Sequence, residues 1–539
     1  MALAGLVCAS PGAETPAAVP LSLDECLRRV YEYNETIQIR ELEWEVSQKK
    51  VKAERGIFEP QFVGSIQHVQ NLEQTTAEQR ISLATAILDE KNNLYDSGVE
   101  FLLPTGGKLK FGYSLQQLNN NLQLQFGLAQ EYSTFGGVTL TQPLLKGAGY
   151  AATMAGIRLA AGESDLAYQD YRRQFMLILA QAESAYWDLY YFQDLQRILG
   201  ESAGVARTIL KDDQVRLQAG QSSELEVLAA ESGLALREAK AKDAHHKLVE
   251  AMNRLTALFS AAGAYSNLVV RAMDRPTLRA TELDYFSSMG TALKWNPDYL
   301  SQLRQVTQAD IRLAYAHNQR WPQVDLKASY GLNGLGDTYG SSWSQLQTAH
   351  YENWSLGVEV HMPLGGDIRG RNELSAAKLR KQQALLGLKN AEVQISTALD
   401  TAIKRTQGLR DSVGDFQKAV DYNQRLLDAE VARLAVGKSD SRKVLEIEEE
   451  LSEAKRALLE SLVAYEKSYL EWELGRGTLL RMQNVDMTQT QLRDRLVQRL
   501  HLSPGATGHL FAEAKTSYEK PAPAPAPAGP LTHPGPTAP

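Results

Sequence analysis

Cysteine is almost absent from this chain of 539 residues, which contains only Cys8 and Cys26. Two cysteines cannot form a disulfide framework, and no spacing of cysteine and histidine is typical of a zinc site. No constellation of residues suggests catalysis either. We therefore expect no catalytic residue, no bound metal and no cofactor, and we do not expect the chain to be an enzyme.

Long apolar runs and a strong excess of one charge are also missing. Only 43% of the residues are hydrophobic, and no run of 18 or more apolar residues occurs. This excludes a transmembrane helix by length. The net charge of −7 is small for a chain of this size, so it gives no electrostatic argument for binding nucleic acid.

The two ends of the sequence differ from the rest. Residues 1–20 combine a short apolar stretch with small residues, and the first basic residue is Arg28. This pattern is typical of the end of a secretory signal, so we expect a remnant signal segment and export, with the true start codon left open. Cys8 is a candidate lipid acceptor, although Val7 before it fits such a site poorly. Residues 481–539 are expected to be an extension that ends in a disordered Pro/Ala-rich tail.

The chain contains one motif twice. Residues 215–228 are VRLQAGQSSELEVL and residues 432–445 are ARLAVGKSDSRKVL, 217 positions apart. Before each copy, apolar residues recur at alternating spacings of three and four, which is typical of a coiled-coil seam. Prolines that end corresponding segments are also paired between the halves. The pattern therefore predicts two internal structural repeats.

Two segments have the strict alternation of a β-strand. Every second side chain of residues 354–362 is large and apolar, and the length matches the ~9–11 residues of a tilted membrane strand. Residues 324–332 are the predicted partner, which gives a β-hairpin over 323–362. In the first half, strands are expected within 61–142, and they number two or four. A short turn at 104–107 favours four, and a half-buried sheet of a soluble domain remains the simpler alternative.

A long helix follows each strand region. Residues 151–217 and 371–434 would each extend about 100 Å if fully helical. The helices after the glycine turns are shorter, so we expect each to stack end to end with the helix that precedes the strands. Gly220 and Gly437 allow the chain to reverse at two hairpin tips. Ser222 and Ser439 are predicted to cap the returning helices.

The strand count also predicts an oligomer. Membrane strands must close into a barrel because open sheet edges are not tolerated in lipid. The smallest such barrels have eight strands, whereas this chain has four or six. Several copies arranged around a cyclic axis would supply the missing strands.

Together, these features resemble the TolC family of outer-membrane efflux proteins over roughly residues 21–480. The resemblance rests on the twofold order of elements, the Pro-Gln after each first helix, the run QPLLKG at 142–147 and the Arg-Leu-x-x-Gly tips. It implies an α+β membrane protein in which a trimeric outer-membrane β-barrel continues as a long periplasmic α-helical barrel. A barrel of 12 or 18 strands follows from four or six strands per chain.

The resemblance further implies a function and partners. The chain would be the outer-membrane channel of a tripartite efflux or type I secretion system, a passive exit duct. Its partners would be two further copies in a homotrimer, a periplasmic membrane-fusion (adaptor) protein, an inner-membrane pump or ABC transporter, and outer-membrane lipid. The exported substrate is not implied. The alternative is a non-conducting structural or adhesive coiled-coil protein of the cell envelope.

The resemblance also implies two groups of functional residues. The adaptor contacts map to the hairpin tips, at Arg216, Leu217, Gly220, Ser222, Arg433, Leu434, Gly437 and Ser439. The periplasmic gate maps to Lys443 and Glu446. Glu446 matches the acidic residue often found in the family, whereas Lys443 departs from it and is expected to pair with Asp440 or Glu446. The acidic run at 448–450 is expected to be a solvated helix face.

The expected organisation has five parts. They are a signal remnant at 1–20, a first repeat at 21–261, a waist linker at 262–282, a second repeat at 283–480 and an extension at 481–539. Short helices within 21–33 and 283–295 are expected to pack around the waist. Gly331, Gly334 and Gly336 are expected to lie in a surface loop that no helix follows.

Overall fold

The computed structural model describes residues 19–76, 87–121, 123, 127, 130–220, 222–259, 269–280, 282–436 and 438–499. Residues Met1–Asp486 form one compact unit and Met487–Pro539 a second. The predicted signal remnant up to residue 18, Cys8, Gly437 and the Pro/Ala-rich tail lie outside the described residues.

The elements of the first unit follow one another as helices, strands and long helices, and this order occurs twice. The strands are β1 (Val19–Leu21), β2 (Gln61–Gln74), β3 (Ile87–Leu102), β4 (Lys108–Leu118), β5 (Glu131–Pro143), β6 (Val270–Ala272), β7 (Gln323–Gly336) and β8 (Glu352–His361). The helices are α1 (Leu23–Tyr33), α2 (Glu35–Arg55), α3 (Tyr150–Thr153), α4 (Ala155–Gln218), α5 (Glu224–Thr256), α6 (Tyr285–Trp295), α7 (Pro297–Gln319), α8 (Tyr339–Gln347), α9 (Ile368–Ala435), α10 (Ser441–Arg476) and α11 (Leu479–Met482). The second unit contains α12 (Gln489–Arg499).

Six of the strands form one antiparallel sheet in the order β2-β3-β4-β5-β7-β8. Four come from the first half of the chain, which decides the strand number that the sequence left open. The predicted hairpin in the second half is confirmed, because Tyr330 of β7 pairs with Trp354 of β8. The short turn after β3 lies at the helical end of the sheet, where the Gly149 N–H donates to the Thr105 carbonyl.

Side chains alternate between the two faces along each strand, and one face carries a band of apolar residues that runs from edge to edge. On edge strand β2, Phe62 is 77% exposed and Ile66 is 80% exposed. On edge strand β8, the alternating residues Trp354, Leu356 and Val358 are also exposed. The pairing registers place all of them on one side of the sheet. A wide apolar surface therefore faces away from the protomer.

Helices lie side by side in rows of four. Near the sheet, contacts run from α2 to α4, α7 and α9 in that order; farther from the sheet they run from α5 to α4, α10 and α9. The long helices α4 and α9 belong to both rows. They contain 64 and 68 residues, so they extend about 96 and 102 Å. Their apolar seam packs against the neighbours, as Ala182 and Leu399 illustrate by being fully buried.

Two asparagines connect the shorter helices end to end. Asn34 caps α2 through its carbonyl oxygen, and its amide donates to the Leu258 carbonyl beyond α5 at 2.9 Å. Asn296 caps α7 in the same way and donates to the Gly475 carbonyl of α10 at 2.9 Å. Each side chain thus accepts hydrogen bonds from the free N–H groups at the start of one helix and donates a hydrogen bond to a carbonyl at the end of another. The stacking expected from helix length is present at both junctions.

Gly477 allows the second junction to close. It follows α10 directly and has φ 73°, a left-handed conformation that glycine adopts without strain. A Cβ atom at this position would lie 2.6 Å from backbone atoms of Asn296 and Trp295. No residue other than glycine therefore fits at position 477, where α10 passes the start of α7.

The waist is stabilised by hydrogen bonds of Tyr186 and by a two-stranded sheet. β1 pairs with β6 in parallel, and the Tyr186 hydroxyl of α4 contacts the ends of both strands. It accepts hydrogen bonds from the N–H groups of Met273 and Asp274, and it is within 3.0 Å of the Leu21 carbonyl. Helix α1 packs on α4, and α6 packs on α9 and α10. The short helices therefore lie at the waist.

A buried carboxyl also belongs to the waist. Glu183 of α4 is only 5% exposed, and burial raises its pKa to about 7. The positive charge of Arg279 opposes this rise, whereas Glu466 of α10 adds to it. Glu466 itself is bound by the Thr277 N–H at 2.9 Å and by Arg279.

One expectation about the sheet is wrong. Gly331, Gly334 and Gly336 do not form a surface loop, because all three lie within β7, and helix α8 follows them. Thr338 caps α8 in a reciprocal arrangement with Ser341. The missed signal is this Thr-x-x-Ser start, which lacks the glutamate of the usual capping box.

Within the described ranges, none of the helices combines the length and the apolar character needed to cross a membrane.

We expect the substitution Gly477→Ala to destabilise the protein by roughly 1–3 kcal/mol, because it forces a left-handed alanine against a neighbouring backbone. The thermal midpoint in detergent measures this effect. Gly408→Ala in α9 is the matched control, since nothing lies within 4 Å of its added Cβ. The control is expected to be neutral or stabilising by up to about 1 kcal/mol. Equal effects of the two substitutions would contradict the prediction.

We expect Glu183→Gln to stabilise the protein in a pH-dependent way. The raised pKa means that the folded state holds a proton which the unfolded state releases above its ordinary pKa of about 4.3. Stability therefore falls as pH rises through the window between this value and about 7. Glutamine removes that cost, so its advantage in thermal midpoint should be small near about pH 4 and largest at about pH 8. Glu201→Gln, at a half-exposed position of α4, should give no such trend.

Candidate functional site: the helical hairpin tips

The first tip joins α4 to α5 through a tight reversal. The N–H of Gly220 donates to the Leu217 carbonyl at 2.9 Å, and Gly220 has φ 69°. Glycine supplies the left-handed conformation that ends the helix. Arg216 and Leu217 are half-buried on the last turn of α4, whereas Gly220 is exposed. Three large apolar side chains around this tip are exposed, namely Val215, Leu225 and Leu228.

The second tip joins α9 to α10 around a buried carboxylate. Glu430 receives hydrogen bonds from the Ser439 hydroxyl and from Arg433, and the ammonium of Lys443 lies 3.9 Å away. The Lys438 N–H closes the turn on the Arg433 carbonyl at 2.9 Å. Leu434 is half-buried and packs on the apolar cluster beneath the tip. Val436 is 67% exposed at the turn.

The pKa of Glu430 is held below its ordinary value. The Ser439 hydroxyl bond is the largest cause, and Arg433 and Lys443 act in the same direction against burial. The charged carboxylate therefore organises the second tip.

The predicted helix caps are each one residue off. Ser223 rather than Ser222 caps α5, in a capping box with Glu226. Asp440 rather than Ser439 caps α10 by accepting from the Lys443 N–H at 2.7 Å. Ser222 instead contacts Glu226 through its hydroxyl at 2.5 Å, and Ser439 contacts Glu430. Consecutive polar residues at both tips made the choice of cap ambiguous in the sequence.

Below the tips, an apolar cluster joins the two hairpins. Its buried members are Ala206, Ile209, Ala230, Val444 and Leu445, which come from α4, α5 and α10. Asp213 of α4 accepts a hydrogen bond from the Ser441 hydroxyl at 2.6 Å, and both side chains are buried. The two tips therefore form one packed end rather than two independent hairpins.

A buried ionic network that was not predicted from the sequence lies next to this cluster. The Arg237 guanidinium of α5 donates to Glu448 of α10 at 3.1 Å, to the Leu445 carbonyl at 2.8 Å and to Ser202 of α4 at 3.2 Å. Arg237 and Glu448 side chains are 7% and 8% exposed. One guanidinium thus connects three helices.

The acidic run at 448–450 is therefore not a solvated face throughout. Glu448 is buried against Arg237, Glu449 pairs with Lys240 and Arg237, and Glu450 is exposed. A signal for this network exists in the sequence. Arg237 stands in a row of alanines seven residues apart, at positions 230, 237, 244 and 251, and all four are buried. A charge on the seam of a coiled coil predicts a buried partner.

The two predicted gate residues lie on the first turns of α10 and do not pair with each other. Lys443 is nearest to Glu430, and Glu446 pairs with Arg442 at 3.1 Å. Neither Asp440 nor Glu446 is the charge partner of Lys443 in the described contacts, so that expectation is wrong. Both side chains are more than half exposed in the protomer.

Among the described residues, no group of three or more His, Cys, Asp or Glu side chains is arranged to hold a metal ion.

Residues 289–470 match the family model described as outer membrane efflux protein. This part of the chain resembles the outer membrane efflux proteins. The matched segment contains α7, the β7–β8 hairpin, α9 and the second tip. The family is a group of channels, not a class of enzymes, and it lies in the outer membrane and extends into the periplasm.

The chain is also similar to a curated protein and to two solved structures. The chain is 22% identical to the outer membrane efflux protein BepC of Brucella suis over 340 residues, which cover 62% of this chain and 70% of BepC. It is 14% identical to the CmeC outer membrane channel of Campylobacter jejuni, with a TM-score of 0.60 and 88% of each chain covered. It is 16% identical to VceC of Vibrio cholerae, with a TM-score of 0.59, covering 84% of this chain and 96% of VceC. The fold is that of these channels.

We expect Arg237→Leu to destabilise the helical end strongly, by about 3–5 kcal/mol, because Glu448 would stay buried without its partner. The double variant Arg237→Leu with Glu448→Leu should recover most of this loss, since it removes both buried charges. Thermal melting in detergent measures both effects.

The matched control is Arg207→Leu, because the Arg207–Glu238 pair also joins α4 to α5 but is exposed. Its loss should cost less than about 1 kcal/mol. A cost at Arg237 no larger than at Arg207 would contradict the role assigned to the network.

Proposed function

We propose that three copies of the chain form the passive exit duct of a tripartite efflux or type I secretion system. In this proposal the three sheets close into one β-barrel in the outer membrane, and the helices continue it as a barrel across the periplasm. One observation carries the proposal: the protomer has a six-stranded sheet with two open edges and an outer face that carries an apolar band from one edge to the other.

The number of strands supports closure by several copies. Six is below the eight strands of the smallest membrane barrels, so one copy cannot close. Because six is even and all neighbours are antiparallel, the edge strands β2 and β8 run in opposite directions. The β8 edge of one copy can therefore pair with the β2 edge of the next in the same antiparallel pattern. Three copies give a barrel of 18 strands without an unpaired edge.

The helical rows support the same assembly. α2 and α9 are the outermost helices of the row near the sheet, and each carries an unpartnered apolar stripe. On α2 the exposed residues are Ile39, Leu42 and Val46; on α9 they are Leu379, Leu386 and Val393. The α9 residues are seven apart, which is typical of a coiled-coil contact. We propose that these two stripes meet between neighbouring copies and that each half of the chain is one structural repeat.

The tips are the proposed docking site of a periplasmic adaptor. Arg216, Leu217, Gly220, Ser222, Arg433, Leu434, Gly437 and Ser439 remain the predicted contacts. Support comes from the exposed Leu225, Leu228 and Val436 beside them, because apolar side chains that project at the end of a rod suit a partner of the same hairpin shape. The energy for export would come from an inner-membrane pump or ABC transporter bound through the adaptor.

The gate is proposed at Lys443 and Glu446. Three copies would place these charges around one axis at the periplasmic end, where a ring of side chains controls which ions pass. Arg442 and Glu446 would add opposite charges to the same level. Opening would require the tips to move apart while the network below them stays intact.

We expect Lys443→Glu to raise the preference for cations over anions and to change the single-channel conductance in planar lipid bilayers, because it adds negative charge at a narrow ring. Glu446→Lys should shift the preference in the opposite direction. Lys294→Glu on waist helix α6, an exposed position, is the control and should leave conductance unchanged.

Two outcomes would count against this proposal. Unaltered conductance and export in both gate variants would remove the gate assignment. A protein that never conducts and is extracted from membranes by salt would favour the non-conducting structural or adhesive alternative.

A further inference from the structure

The short helix α8, between β7 and β8, folds back onto the apolar face of the sheet. Thr134 of β5 and Gly334 of β7 are paired neighbours on that face. The hydroxyl groups of Ser342 and Thr134 are hydrogen-bonded at 2.8 Å, and Ser342 also donates to the Gly334 carbonyl at 3.0 Å. The Trp343 ring meets the Tyr113 ring edge-on at 5.4 Å. The helix is thus docked on the side of the sheet that the proposed barrel turns outward.

The absence of a side chain at Gly334 allows α8 to pack closely against the sheet. A Cβ atom on Gly334 would lie 2.1 Å from the Ser342 carbonyl oxygen and 2.6 Å from the Thr134 hydroxyl. The Gln345 side chain also accepts a hydrogen bond from the Leu335 N–H at 2.6 Å. Polar groups on the inner side of α8 are therefore satisfied by the sheet, and Ser342 is fully buried.

One flank of α8, beside Tyr113 of the sheet, is aromatic, and the helix is uncharged. Tyr339 and Trp343 are one helical turn apart, and their rings stack at 6.4 Å. Both remain partly exposed, and no residue from Tyr339 to Gln347 is charged. Aromatic rings with one polar edge are enriched where a membrane meets water, because the ring body suits the apolar side and its polar group suits the wet side.

The height of α8 above the periplasmic edge of the sheet agrees with such a boundary. Ten residues of β7 separate Val324 from Gly334, which at about 3.3 Å per residue and a tilt of about 35–45° gives a height of about 23–27 Å. The apolar band of an outer-membrane barrel is about 25 Å tall. Trp354 pairs with Tyr330, four residues before Gly334, so it lies about 10 Å deeper.

We propose that α8 is an interfacial helix that rests against the lipid of the outer leaflet, with Tyr339 and Trp343 at the level of the headgroups. This inference rests on the proposed function, which places the apolar face in lipid. A second copy of the chain is not the occupant, because α8 covers β5 and β7 in the middle of the sheet, whereas copies join at β2 and β8. The helix therefore marks the upper limit of the lipid band on its part of the barrel.

Fluorescence quenching in proteoliposomes tests this proposal. The signal of Trp343 is the difference between the wild-type protein and Trp343→Phe, and that of Trp354 is obtained in the same way from Trp354→Phe. The probes are phosphatidylcholine brominated near the headgroup or near the acyl-chain end, and iodide in the water. We expect Trp343 to be quenched most by the shallow bromine, and Trp354 to be quenched more than Trp343 by the deep bromine.

A glycine pair provides the matched variants. Gly334→Ala should displace α8 and shift the Trp343 signal towards quenching by iodide, because the new methyl group collides with Ser342. Gly340→Ala, within α8 itself, meets nothing within 4 Å and should leave the pattern unchanged.

The outcomes separate this inference from the proposed function. Quenching of Trp354 by brominated lipid, with Trp343 quenched only by iodide or shielded from every probe, would overturn the interfacial helix alone. Absence of lipid quenching at both tryptophans would show that the sheet is not in lipid and would overturn the proposed function as well.

Discussion

The open sheet is the constraint on which the rest of the molecule depends. Edge strands β2 and β8 present backbone N–H and C=O groups that need partners, and the face between them is apolar. In lipid, an unpaired backbone group costs several kcal/mol because no water replaces the missing bond. The same apolar face is also unfavourable in water. Pairing the β8 edge of one copy with the β2 edge of the next inside a membrane would meet both requirements, which is why the proposed function is an assembly.

The helical part of a single copy also leaves apolar surface without a partner. Rows of four helices leave α2 and α9 with apolar stripes, so the rows are also unfinished in a single copy. Within a row, however, the packing is closed by specific polar contacts. Asn34 and Asn296 complete the hydrogen bonds at helix ends, and Arg237 fixes α5 against α10 and α4. A buried ion pair contributes little net stability compared with apolar packing, and its best attested role is to fix register. We infer that this network aligns the two hairpins so that both tips end at one level.

Close approach through glycine recurs at two distant places. Gly477 lets α10 pass the backbone at the start of α7, and Gly334 lets α8 rest on the sheet. At both positions a methyl group would meet atoms closer than any real contact allows. The packing of α10 against α7 therefore requires glycine at position 477, and the packing of α8 on the sheet requires glycine at position 334.

Much of this architecture follows from the sequence by itself. Alternation with a period of two in residues 354–362 and spacings of three and four in the helices determined the strands and the long helices, because each period corresponds to one backbone geometry. The two Arg-Leu-x-x-Gly motifs placed both tips. Other features depended on tertiary structure, because they arise from residues far apart in the chain. The burial of Glu448 required Arg237 from another helix, the cap choice between Ser222 and Ser223 required the actual turn, and the position of α8 required Gly334 and Thr134 on neighbouring strands. A local pattern specifies which element forms, whereas only the assembled neighbours decide which polar groups are buried and what covers each face.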